Sequence, residues 1–148
     1  MGKRRRSREL ALQVLYQLGI AEQDSEGPID QFRVRSFRDR ERDEFSELLI
    51  RGVLAHRKEI DQLLKEHSEH WRLDRMAVID RAILRMATFE LLYCEEIPPK
   101  VTLNEAIDLG KRYSSEESGS FINGILDQMQ KEVIRKPTQP KAISGCEG

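Results

Sequence analysis

Met76-Ala-Val-Ile-Asp80-Arg-Ala-Ile-Leu-Arg85-Met-Ala-Thr-Phe-Glu90-Leu-Leu-Tyr93 is apolar at 13 of its 18 positions. A helix that is greasy on nearly all sides belongs at the centre of a bundle rather than on its surface. It has one narrow polar stripe, Arg81, Arg85 and Thr88, with Asp80 to one side. On an otherwise buried helix such a stripe must meet solvent, an internal ion pair or a partner. Pro98-Pro99 closes the segment, because proline lacks an amide donor and disfavours helical geometry in the residue before it.

Outward from this centre the same helical spacing recurs. The first helix is expected from about Ser7 to Ile20, with Leu10, Ala11, Val14, Leu15 and Leu18 as its apolar face. Gly27-Pro28 marks a loop, and a short helix is expected over Ile29–Phe37. Phe45, Leu48, Leu49, Gly52, Val53, Ile60, Leu63 and Leu64 predict one long helix from about Asp43 to His67. Thr102-x-x-Glu105 and Ser114-x-x-Glu117 are capping-box patterns, in which a hydroxyl and a carboxylate satisfy otherwise orphaned amides. They predict helices running to about Tyr113 and about Arg135, the second stopped by Pro137. No run alternates in the manner of a strand, and no repeat of fixed period is present. The expectation is an all-α chain of about seven helices in a compact bundle. It forms one domain over residues 1–136, with subdomains of about 1–70 and 71–136 and a disordered tail over 137–148.

Charge is informative through its placement. The formal net charge is only −1, yet Lys3-Arg4-Arg5-Arg6-Ser7-Arg8 holds five positive charges in six positions. Guanidinium groups stay charged and offer paired donors to phosphate, so this arm suits a polyanion. A solubilising terminus or an acidic protein surface explains the same charges. On a projection of about 100° per residue, Tyr16 falls on the polar face of its helix with Arg5, Glu9 and Gln13, opposite the core stripe. Aromatics beside arginines stack on unpaired bases at ~1–3 kcal/mol each. Phe121 is similarly displaced from the apolar face formed by Ile122, Ile125, Met129 and Val133, and the small residues Ser118-Gly119-Ser120 precede it. Packing against another segment is the alternative at both aromatics.

Other chemistries find little support. No stretch is long and apolar enough to span a membrane, and the basic start is not followed by an apolar segment and cleavage site. Cys94 and Cys146 match no metal or redox spacing and read as free thiols of a reducing cytoplasm. His67 and His70 lack further ligands for a metal, and His56 reads as a core histidine. No phosphate-binding glycine loop or nucleophile elbow is present, and no residues assemble a nucleophile, base and oxyanion site. The chain is read as a non-enzyme without metal or cofactor.

Four segments together resemble the NusB transcription antitermination factors. They are Arg4–Tyr16, Asp80–Leu91, Ile97–Ile107 and Phe121–Asp127, in the family's order across about residues 3–133. Residues 22–45 and the tail carry little of the likeness. The resemblance implies two three-helix subdomains with an extra helix. It implies binding of single-stranded boxA RNA together with NusE, a small-subunit ribosomal protein. Other Nus factors and RNA polymerase then join, and premature termination in ribosomal RNA operons is limited. It maps RNA contacts to the arm (Lys3, Arg4, Arg5, Arg6, Arg8), Tyr16 and Phe121, with Gln13, Ser118 and Asn123 beside them. Asp80 and Arg81, with Arg85 on the same stripe, form the candidate partner set. Two other readings stay open: a helical scaffold that binds proteins alone, and a stand-alone relative of the NusB-like domain of RNA cytosine methyltransferases. The catalytic domain of those enzymes requires a much longer chain with a cofactor-binding sheet.

Overall fold

The computed structural model describes residues 2–24, 43–67 and 76–135. These form six helices and, among the described residues, no strand: α1 (Gly2–Asp24), α2 (Glu44–Ala55), α3 (Arg57–Glu66), α4 (Val78–Tyr93), α5 (Pro99–Tyr113) and α6 (Glu116–Arg135). The helix expected over Ile29–Phe37, the subdomain junction near 70–75 and the tail from Pro137 lie outside the described residues.

The greasy segment is the centre of the fold. α4 packs against all five other described helices. Ala82, Ile83, Leu84, Met86, Ala87 and Phe89 are buried in one continuous cluster with residues of every other helix. α1 contributes Ala11, Leu12, Val14, Leu15 and Leu18, α5 contributes Leu103, Ala106 and Leu109, and α6 contributes Ile122, Ile125, Leu126 and Met129. Two glycines are dictated by close approach. A Cβ on Gly52 would lie 2.3 Å from the Phe89 ring, and one on Gly110 would lie 2.7 Å from Ile122 Cδ1.

Four boundaries differ from expectation. α1 begins at Gly2, not near Ser7, so the basic arm is itself helical. Lys and Arg are good helix formers. The Ser7 hydroxyl, between the Lys3 carbonyl (3.0 Å) and the Asp43 carboxylate (2.6 Å), ties this turn to the cap of α2. The expected helix over 43–67 is two helices, broken at His56, which is at once the C-cap of α2 and the N-cap of α3. Leu49 and Val53 before the break and Ile60 and Leu64 after it are all buried, so the apolar spacing runs through the break and conceals it. His56 is half-exposed, not a core residue, and its ring stacks on Tyr93 at 4.4 Å between centroids.

α5 starts at Pro99, a turn ahead of the Thr102 box. Proline at the first helical position lacks only an amide that would be orphaned there in any case. Thr102 is thereby an interior residue. α6 is capped one residue later than the Ser114 box: the Ser115 hydroxyl accepts the Ser118 amide at 3.1 Å. Ser114 instead closes α5, its amide donating to the Gly110 carbonyl.

Candidate nucleic-acid interface

The arm is bolted to the centre of the bundle by a buried triad. Glu90, 2% exposed in the last turn of α4, accepts from Arg8 Nε and Nη2, each at 2.8 Å, and from the Thr102 hydroxyl at 2.9 Å. Burial disfavours the charged Arg8 guanidinium, but the hydrogen bonds and charge of Glu90 outweigh it and its pKa is raised. Arg8, 3% exposed, is therefore a joint between α1, α4 and α5. This corrects its grouping with the RNA-contacting arm, because a guanidinium committed to an internal carboxylate is not presented to solvent.

The rest of the arm faces outward. Lys3, Arg4, Arg5 and Arg6 are exposed on the first turns of α1. Arg4 lies over the Phe45 ring at 4.6 Å and reaches Glu96 at 3.8 Å. Arg5 donates from Nε and Nη2 to Glu105 of α5 at 3.3 and 3.1 Å. Beneath them, burial disfavours the Asp43 carboxylate. The Ser7 hydroxyl and the amide and hydroxyl of Ser46 more than compensate, holding its pKa below the ordinary value.

One turn along α1, Glu9 pairs with Arg112 of α5, which also donates from Nη1 to Asp108 at 3.1 Å and lies over the Tyr113 ring at 5.2 Å. Advancing along α1 thus advances along α5 toward its C-terminal end. Gln13 is exposed and Tyr16 half-buried on the following turns of α1. Tyr113, 48% exposed, ends α5 and leads into the serine-rich start of α6.

At that start Ser118 is buried. Its hydroxyl donates to Asp80 Oδ2 at 3.0 Å, with the Ser114 and Ser115 hydroxyls 2.8 and 3.2 Å away. Asp80 is also buried, and its Oδ1 has no hydrogen-bond partner among the described residues. Phe121 is half-buried against the core cluster, and Asn123 is exposed. The polar stripe of α4 divides its roles. Arg85 donates from Nε and Nη2 to Asp61 of α3 at 2.8 and 2.9 Å, an internal pair. Thr88 is buried, its hydroxyl donating to the Leu84 carbonyl at 2.7 Å, and Arg81 is half-buried.

His67 places Nδ1 2.9 Å from the Leu63 carbonyl and Nε2 2.9 Å from Glu132. His70 lies outside the described residues, and no group of three or more His, Cys, Asp or Glu side chains among them is arranged to hold a metal. Also among the described residues, no helix is long and apolar enough to cross a membrane.

The carboxylate partners of the basic side chains were unevenly visible in the sequence. Glu90 carried a signal, as a carboxylate on the apolar side of the greasy run, opposite the Arg81–Arg85–Thr88 stripe, where burial demands a cation. Glu9, Glu105 and Asp108 carried none, because nothing in their spacing says which helix lies opposite.

Fold and surface define the class: an all-helical protein whose first helix opens with a run of exposed basic side chains. The chain belongs to the NusB family, whose model matches residues 5–131. It is 50% identical over 136 residues to the transcription antitermination protein NusB of Syntrophus aciditrophicus, covering 92% of this chain and 84% of that one. It is 47% identical over 133 residues to the protein of that name from Myxococcus xanthus, covering 87% and 95%. A solved structure of T. maritima NusB superposes with a TM-score of 0.76 at 38% identity, over 87% of this chain and 91% of that chain. A chain from a structure of the antitermination factors NusB and NusE in complex with dsRNA has the same fold. Its TM-score is 0.73 at 24% identity, over 89% and 98% of the two chains.

Proposed function

We propose that this protein is an RNA-binding transcription antitermination factor of the cytoplasm. It binds single-stranded boxA RNA together with NusE, and through other Nus factors helps RNA polymerase read through terminators in ribosomal RNA operons. The observation that carries this reading is the arm of a chain of the NusB family. Lys3, Arg4, Arg5 and Arg6 are exposed on one turn of helix, anchored beneath by Arg8 and Glu90. A preorganised row of cations costs little further ordering when it meets a phosphate backbone.

In this reading Lys3, Arg4, Arg5 and Arg6 hold phosphates, while Tyr16 and Phe121 stack on unpaired bases, with Gln13, Ser118 and Asn123 as polar neighbours. Arg81 borders the surface for NusE, supported on the same helix by the buried Asp80 and the Asp61-paired Arg85. The protein carries no catalytic function of its own. It is one domain over residues 1–136, built of two three-helix halves of about 1–70 and 71–136 with one further helix.

The test is a titration of single-stranded boxA RNA and of a scrambled RNA of equal composition, with and without NusE. Tighter binding to boxA, raised further by NusE, is expected. Equal affinity for both RNAs would sink the specific reading, and no RNA binding beside retained NusE binding would favour a protein scaffold.

A further inference from the structure

The basic face of α1 is not a bare cationic patch. Where α1 meets α5, Arg5 and Arg112 stand among three carboxylates, Glu9, Glu105 and Asp108, each in a hydrogen bond or ion pair with one of the two. Glu105 is one helical turn past Val101, in the first half of a helix whose start is fixed by Pro99. Its side chain is 19% exposed, against 51% for Arg5, so the carboxylate sits beneath the guanidinium and Arg5 lies over it toward solvent. Glu105 occupies the Nε donor and one Nη2 donor, and planarity directs the Nη1 edge away from it.

We propose that Glu105 is a specificity-determining residue of the RNA-binding face, a carboxylate that suppresses binding of arbitrary polyanions by compensating Arg5. This rests on the RNA-binding reading above. A phosphate approaching Arg5 meets a guanidinium whose charge is already balanced, with a fixed negative charge behind it. An RNA held only by its backbone gains little there. An RNA that also places bases on the aromatic side chains is brought to the Nη1 edge by those other contacts. Specificity is a difference of affinities, and an element that weakens the wrong partner raises it as surely as one that strengthens the right partner. Glu9 acts on Arg112 in the same sense, one step along the seam.

The test is the variant Glu105→Gln in the full chain, titrated against single-stranded boxA RNA and the scrambled RNA over a series of salt concentrations. Affinity for scrambled RNA is expected to rise about two- to five-fold, the range of an exposed ion pair, and affinity for boxA to rise less. The salt dependence for scrambled RNA steepens by up to ~0.7, one further phosphate contact on a single strand. Adding Arg5→Gln to the same chain should abolish the gain, an outcome that a merely structural role for Glu105 does not produce. Glu9→Gln gives the same direction through Arg112 and serves if Glu105→Gln fails to fold. Unchanged affinity for both RNAs, or an equal change for both, overturns the proposal. A parent protein that binds neither RNA overturns the RNA-binding reading, and this proposal with it.

Discussion

Arg8 and Glu90 are each too costly to bury alone. A charge taken out of water is tolerated only when its partner and remaining hydrogen bonds are supplied. Here two parallel N–H···O bonds of 2.8 Å and the Thr102 hydroxyl supply them. Breaking the pair from one side leaves an uncompensated charge. Arg8→Ala is therefore expected to destabilise the protein by about 3–5 kcal/mol in a denaturant melt. The double replacement Arg8→Met with Glu90→Leu should recover much of that loss. An Arg8→Ala protein that melts like the parent and only binds RNA less tightly would return Arg8 to the arm. The charge run read as a surface because five cations in six positions usually are one. The contrary signal was in the helical register, since Arg8 precedes Ala11, Leu12 and Leu15 by three, four and seven residues and so shares their buried face.

Helix type and the central place of α4 were legible because they depend on apolar spacing, which survives in the sequence whatever the neighbours do. Helix ends were less so, because they depend on which of several polar residues reaches an orphan amide. Ser114 and Ser115 offer the same hydroxyl, and packing of α5 against α6 at Gly110 and Ile122 selects the second. The end of α3 has a chemical consequence. His67 offers both ring nitrogens to acceptors, the Leu63 carbonyl within its own turn and Glu132 on α6, with the charge of Glu66 nearby. Burial opposes its protonation, but these acceptors outweigh burial and the pKa is raised above 6.5. A group whose folded pKa is raised stabilises the fold fully below its unfolded value, and the benefit is lost as pH rises through the folded value. The stability gap between the parent and Glu132→Gln should therefore be widest below pH 6.5 and close at alkaline pH. A gap independent of pH would show that Glu132 acts without the imidazolium.

The molecule carries 25 basic and 26 acidic side chains, excluding His, so no long-range field draws it to RNA and any electrostatic attraction is local. That locality makes the number of usable cations countable. Lys3, Arg4, Arg5 and Arg6 are all exposed; Arg4 meets Glu96 only at 3.8 Å, Arg5 is hydrogen-bonded to and balanced by Glu105, and Arg8 is internal. A single strand loses affinity with salt at about 0.7 logarithmic units per neutralised phosphate; Arg5 meets a phosphate with its charge already balanced, so the other three exposed cations give a slope of about −2. Counting all five arm cations from the sequence alone would give about −3.5, and the two values are separable by titrating boxA RNA across a salt series. Arg6→Ala should flatten the slope by about 0.7. Tyr16→Ala and Phe121→Ala should leave the slope unchanged while lowering affinity for boxA more than for scrambled RNA, because stacking releases no counterions. A slope near −3.5 would mean that RNA displaces Glu105 from Arg5 and draws Arg8 out of the core. The second of these is what the buried triad opposes, so the measured slope reports directly on whether the bolt holds when the arm is occupied.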